Sequence, residues 1–329
     1  MHLSQATLDP SRPHGPRYKN PRYNKRVADL LVVGSVALDS VETPFGKVRE
    51  ALGGSATYFS YSASFFTQVR LVATVGEDFP ESHLRLLEDR GVDIGGLQTS
   101  KGRTFRWTGE YGYDLNEAKT LETQLNVFAE FRPVLGDGLG RVPYLFLANI
   151  DPELQLDVLR QMRERPRLVA LDTMNFWIQG KRDALRRVLT EVDVVTINDG
   201  EARQLASEPN LIRAARAIAA MGPRTVVVKR GEYGALLMTE GTLFFVPAYP
   251  LDSVYDPTGA GDTFAGGFMG YLAAQDRVDA AAMRRAIVYG SVMASFTVED
   301  FSLKRLTQLK PADIAERYTA FHELIRVEP

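Results

Sequence analysis

Seven short apolar runs recur along this chain, at residues 28–33, 70–74, 145–148, 168–172, 192–197, 225–229 and 243–246, separated by stretches of helical periodicity. Runs so short and so uniformly apolar leave no polar face for water. They suit strands covered on both sides, and alternation with amphipathic helices packs such strands into a mostly parallel sheet. The expected class is α/β, doubly wound. At 329 residues the chain can hold one large sheet of this kind or two average domains. The alternation that begins at residue 27 is read as a single domain over residues 27–329.

Two segments break the rhythm. Residues 36–52 and 102–132 alternate polar and apolar side chains, as in Thr104-Phe105-Arg106-Trp107-Thr108-Gly109-Glu110-Tyr111. Alternation of period two suits half-exposed antiparallel strands. They are expected to form a small β-sheet that emerges from the main sheet and covers its ligand edge as a lid. Residues 1–26 are rich in Pro, Arg, Lys and Asn without apolar periodicity, and are expected to be a flexible tail. Its basic cluster, Arg12, Arg17, Lys19, Arg22, Lys25 and Arg26, reads as a solvated run.

Charge and composition narrow the function. The chain carries 39 basic and 41 acidic residues, so no global field draws it to nucleic acid or to an anionic membrane, and an anionic ligand must be held locally. With no cysteine, disulfides, thiolate catalysis and cysteine metal sites are all excluded. The four histidines, His2, His14, His83 and His322, lack metal-ligand spacing. No stretch reaches the roughly 20 apolar residues of a membrane span, and the N-terminus lacks the apolar core of a signal peptide, so a cytoplasmic location is expected.

The segment Asp256-Pro257-Thr258-Gly259-Ala260-Gly261-Asp262-Thr263-Phe264-Ala265-Gly266-Gly267-Phe268 follows an apolar strand and opens a helix of small residues. A helix N-terminus presents unpaired N–H groups and the positive end of the dipole, and glycine lets a phosphate approach the backbone. Gly259, Ala260 and Gly261 thus form a candidate anion hole. Asp262 stands beside them, where a carboxylate can take a hydroxyl proton while the N–H groups stabilise a phosphoryl group in transfer. Taken alone, the same residues also describe a tight strand-to-helix turn with a dipole-favoured carboxylate. The Gly-x-x-x-x-Gly-Lys-Ser/Thr loop is absent, and no complete Gly-x-Gly-x-x-Gly follows the first strand.

This segment closely resembles the C-terminal motif of the ribokinase-like, or PfkB, carbohydrate kinases, Asp-Thr-x-Gly-Ala-Gly-Asp, with Pro257 the visible change. Further matches follow in the family's order over residues 27 to about 310. Gly34 and Asp39 resemble its early glycine and the aspartate that holds sugar hydroxyls. Gly53-Gly54 resembles the diglycine at the substrate, and Val75-Gly76-Glu77-Asp78 its Val-Gly-x-Asp turn. Asn198-Asp199-Gly200-Glu201 matches an Asn-x-x-Glu element, implying that Asn198 and Glu201 order Mg2+-bound water and ATP phosphates. Lys229-Arg230-Gly231-Glu232-Tyr233-Gly234 resembles a strand and turn that contacts the nucleotide. The resemblance implies ATP and Mg2+ as cofactors and Asp262 as base. It also implies K+ beside the anion hole near Asp256 and after Gly290, as in some relatives, and a homodimer formed through the lid.

Residue by residue, plainer uses stay open. Asp39 can be a turn carboxylate, Asn198 with Glu201 a helix-start pair, Lys229 a surface lysine, and Gly231 and Gly234 turn residues. Asp172 and Asn175, after another strand, suit either the substrate edge or a strand-end cap. Many relatives carry Asn four residues after the diglycine, where it binds substrate hydroxyls; this chain has Tyr58 there as the candidate substrate contact, and a phenol does not bind what an amide binds. Phe105, Trp107, Tyr111, Tyr113, Phe176 and Trp177 can stack on a sugar face or a nucleobase, although aromatics at alternating strand positions also serve packing. The acceptor is therefore read as a small sugar or sugar derivative, with a nucleoside as the alternative enzyme reading and a non-catalytic ligand sensor as the alternative from another class.

Overall fold

The computed structural model of the chain describes residues 28–136 and 138–326; the tail expected at residues 1–26 lies outside them. In chain order the strands are β1 (Leu30–Val33), β2 (Ala37–Thr43), β3 (Gly46–Gly53), β4 (Val69–Gly76), β5 (Asp93–Ser100), β6 (Phe105–Tyr111), β7 (Ala118–Gln124), β8 (Tyr144–Leu147), β9 (Leu168–Asp172), β10 (Val194–Asn198), β11 (Thr225–Lys229), β12 (Ala235–Thr239) and β13 (Thr242–Val246). Nine of them form one sheet in the order β13-β12-β11-β10-β9-β8-β1-β4-β5. Pairing is parallel from β11 through to β5 and antiparallel at β12 and β13.

Period-two alternation sends each central strand into two cores. In β1, Leu30 and Val32 join Phe59, Phe146 and Phe268 on one face, while Leu31 and Val33 join Leu145, Leu171 and Val195 on the other. All four β1 residues are fully buried, which is why the run is continuous rather than alternating. On the first face the helices Ser55–Ala63, Ala260–Gln275 and Ala280–Thr297 lie against one another. Gly266 and Gly267 permit that approach, since a Cβ on either would overlap Phe59 O or lie 2.9 Å from Tyr289 O. No described helix is long and apolar enough to cross a membrane.

The small sheet is ordered β3-β2-β6-β7, and it occupies the two alternating segments. Within it β2 pairs antiparallel with β3 and parallel with β6. Asp78, in the turn after β4, anchors it. Its Oδ1 accepts from the Thr104 N–H and the Thr104 hydroxyl, each at 2.7 Å, and its Oδ2 accepts from Arg106 Nη2 at 2.8 Å. Arg106 Nε reaches on to Glu50 Oε1 at 2.7 Å, so one guanidinium ties β6, β3 and the end of β4 together. The Val75-Gly76-Glu77-Asp78 turn is therefore the mooring of the small sheet.

Asp78→Ala leaves the fully buried Thr104 with two donors and no carboxylate to accept them. It should cost about 1–3 kcal/mol of unfolding free energy by urea denaturation; an unchanged midpoint would show that the mooring does not carry stability.

Candidate active site

The parallel strands β9, β10 and β11 end at one edge of the sheet, and the helix Ala260–Gln275 starts there. The loop before that helix is shaped by Asp256, a buried carboxylate whose Oδ1 accepts from the Thr258 N–H at 2.9 Å and whose Oδ2 accepts from the Ser302 N–H at 3.3 Å. Gly259 then turns the chain through φ 74°, the left-handed region that glycine enters without penalty, and a Cβ there would overlap the ring of Tyr58. The Ala260 N–H donates to Pro257 O at 3.1 Å. Among the described residues, Gly259, Gly261 and Asp262 keep N–H groups without a backbone acceptor. Of the expected donor set Gly259, Ala260 and Gly261, the Ala260 N–H is thus used within the turn, while those of Gly259 and Gly261 have no backbone acceptor among the described residues.

Lys229 ends β11 and lies over this loop. Its ammonium is 2.7 Å from Asp172 Oδ2, and a Cβ on Gly261 would sit 3.1 Å from Nζ. Burial pulls the Lys229 pKa down, but Asp172, Glu201 and Asp262 together carry it above its ordinary value. Asp172, at the end of β9, also accepts the Thr173 N–H through Oδ1 at 2.8 Å. Asp172 thus holds Lys229 through one oxygen and the Thr173 N–H through the other, a pairing in addition to the substrate-edge and strand-end-cap expectations.

Asp262 is half-buried at the helix start. Burial and the neighbouring Asp172 raise its pKa, while Lys229 and its own backbone N–H oppose the shift. Asp39, in β2, faces it from the small sheet. Burial first, then Asp256 and Asp262, push Asp39 up to about 7 against the lowering effect of the Gly54 N–H, which donates to Oδ2 at 3.3 Å. The diglycine is required here, since a Cβ on Gly53 would overlap that carboxylate and Gly54 adopts φ 94°.

Asn198 and Glu201 form a capping box on the helix Asp199–Ala206: the Glu201 N–H donates to Asn198 Oδ1 at 2.7 Å, and the Asn198 N–H to Glu201 Oε2 at 2.9 Å. Burial and Asp172 nonetheless push Glu201 up to about 7, with Lys229 opposing. Its carboxylate therefore shares the cluster of Asp172, Lys229 and Asp262 while it caps the helix. Gly231 and Gly234 bracket the turn after β11 with φ 52° and 83°, and a Cβ on Gly234 would overlap Val246 O. The Asn116 side chain, on the β6–β7 connection, lies against Gly231 and donates to Glu232 Oε1 at 3.3 Å.

Tyr58, expected at the substrate, is 2% exposed with its ring pressed on Gly259, so it backs the glycine turn. Tyr111 is the residue whose role sequence reasoning left open: its Oη accepts from Thr258 Oγ1 at 3.3 Å. Burial, with Asp256, Asp39 and Asp262 nearby, raises the phenol to about 12, which places it among the acids of the site. The available signal was its position at the end of the alternating β6 segment.

The match to the pfkB family of carbohydrate kinases spans residues 28–307, and the chain belongs to that family. It is 32% identical over 245 residues to a cytidine kinase of Thermococcus kodakarensis, covering 73% of this chain and 87% of that protein. It is 26% identical over 290 residues to a nucleoside kinase of Methanothermobacter thermautotrophicus, covering 83% and 90%. In fold it is similar to an E. coli structure described as a ribokinase II with ATP and Mg2+, with a TM-score of 0.74 at 19% identity, covering 89% of this chain and 100% of that one. The chain is thus a phosphotransferase of the sugar and nucleoside kinase type.

Gly259→Ala forces a Cβ into a left-handed turn and onto the Tyr58 ring. Backbone strain alone is about 1–2 kcal/mol, so both the melting temperature and the turnover number should fall; wild-type turnover would mean that the loop geometry is not needed for transfer.

Proposed function

We propose that this enzyme transfers the γ-phosphoryl group of ATP to a hydroxyl of an uncharged nucleoside, cytidine being the first to test, with free sugars as weaker acceptors. The observation that carries the chemistry is the convergence of Asp262, Asp39 and Lys229 on one glycine turn at a helix N-terminus. The two nucleoside kinase relatives tip the acceptor toward a nucleoside and away from the simple sugar expected first. Asp39 supports an uncharged acceptor: its field is set by burial, Asp256 and Asp262, all of which disfavour another negative charge.

Mg2+-bound ATP supplies the transferable phosphoryl group. Gly259, Gly261 and Asp262 N–H groups bind its oxygens, and Lys229, held by Asp172, offsets charge as the group moves. The acceptor hydroxyl gives its proton to Asp262 as its oxygen bonds to phosphorus and the bond to ADP breaks. Asp39, with Gly53 and Gly54 behind it, holds the other hydroxyls. Among the described residues no cluster of three or more acidic or histidine side chains forms a metal cage, which suits Mg2+ held chiefly by phosphates and water, with Glu201 and Asn198 ordering that water.

The small sheet acts as the lid that excludes water. K+ is proposed near Asp256, where the Tyr255 N–H meets Val298 O and the buried Thr297 hydroxyl lacks a partner among the described residues; turnover equal in K+ and Na+ would remove it. A homodimer through the lid is proposed from the exposed Phe45 and Leu121 on that sheet, and a monomeric mass by light scattering would reject it.

ADP release is measured with Mg·ATP against cytidine, other nucleosides, ribose and hexoses. Asp262→Asn should lower kcat by about 10²–10⁴ with ATP affinity intact, and near-normal turnover would remove Asp262 as base. The base must be ionised to act, and burial raises its pKa. Hence kcat/KM should be full at alkaline pH and fall on acidification through a value above the ordinary carboxylate range; a profile flat down to pH ~4 would contradict that assignment.

A further inference from the structure

Strand β6 presents a tryptophan to the proposed acceptor site. Trp107 pairs with Asp39 across the parallel β2–β6 register, so the two side chains share one face of the small sheet. Tyr111, four residues on and therefore on the same face, reaches Thr258 of the anion loop, which identifies this face as the one turned to the site. Between them stands Gly109, where a Cβ would fall inside the indole ring. The glycine leaves room for the indole to lie along the sheet, and the indole Nε1–H fixes that pose by donating to Thr120 Oγ1 at 3.2 Å. One face of the ring rests on backbone, Trp107 is only partly buried, and among the described residues no other ring or guanidinium is stacked on it.

We infer that the other face of Trp107 is the platform on which the planar heterocycle of a nucleoside acceptor stacks while Asp39 holds its ribose hydroxyls. This rests on the nucleoside reading above and goes beyond it by assigning the residue that separates nucleosides from free sugars. A planar base covers the whole π-face of the indole, whereas a free pentose offers only a small C–H face to it, so most of the gain falls on the nucleoside. A tryptophan clamped flat by a missing Cβ and a hydrogen bond is already ordered, so little is lost in immobilising it on binding.

Trp107 and Trp177 are the two tryptophans of the chain, so emission reports the contact directly. Titrating the wild type with cytidine should quench part of the emission, ribose should not, and Trp107→Phe should lose that component. In kinetics, Trp107→Ala should raise KM for cytidine by about ten- to a hundredfold while kcat/KM for ribose and KM for ATP hold, and Trp107→Phe should recover most of the loss. Equal losses for cytidine and ribose in Trp107→Ala, or cytidine quenching that survives in Trp107→Phe, would overturn the platform while leaving the nucleoside reading in place. A wild type that turns over ribose better than every nucleoside would overturn both.

Discussion

One half-buried lysine surrounded by carboxylates sets the terms for everything else at this sheet edge. Asp172, Glu201 and Asp262 all face Lys229, yet only Asp172 is bonded to it. Carboxylates crowded into a partly desolvated site cannot all ionise cheaply, and burial first, then Asp172, raises the pKa of both Asp262 and Glu201. The cluster is tolerated because each acid has a fixed partner of another kind: Thr173 N–H for Asp172, the capping box for Glu201, a helix N-terminus for Asp262. The arrangement leaves Asp262 with a raised pKa and an ammonium beside the glycine turn.

The position of that loop depends in turn on packing far from it. Tyr58 fills the space behind Gly259 from the helix Ser55–Ala63, and that helix approaches Ala260–Gln275 closely because Gly266 and Gly270 have no side chains between them. Asp256 ties the loop to Ser302, and Thr43 of β2 donates to Tyr255 O at 2.9 Å, so the loop is held from the helical layer and from the small sheet together. A loop fixed on both sides needs little reorganisation when charge develops, which is where electrostatic stabilisation gains most.

Much of this was legible in the chain itself. Buried parallel strands read as unbroken apolar runs, and 168–172 and 225–229 coincide with β9 and β11. The edge strand β5, Asp-Ile-Gly-Gly-Leu-Gln-Thr-Ser, is half-exposed and glycine-rich, so it carries no such run, and β12 escaped because it returns antiparallel within a few residues of β11. At the site, the glycine turn and Asp262 were legible because local chain geometry demands those residue types. The pairing of Asp172 with Lys229 was not, since it joins residues 57 apart whose meeting depends on the strand order β9-β10-β11. Tyr58 and Tyr111 were opaque for the same reason: which side of a loop an aromatic ring supports is decided by tertiary contacts.

The small sheet touches both halves of the site, and this bears on how the two substrates meet. At one end Tyr111 receives the Thr258 hydroxyl, and at the tip of the β6–β7 connection Asn116 meets Gly231 and Glu232 in the turn after β11. Its base is moored by Asp78 and Arg106. At the base the contacts to the Asp78 carboxylate are 2.7–2.8 Å, at the tip the Asn116 amide donates to the Glu232 carboxylate at 3.3 Å and accepts the Glu232 N–H at 3.4 Å, and the end of β2 is held through the Thr43 hydroxyl on Tyr255 O at 2.9 Å. Because Asp39 on β2 and Trp107 on β6 pair across one register, the side chains of the proposed acceptor site are carried on one unit, and the proposed lid brings both to Asp262 together.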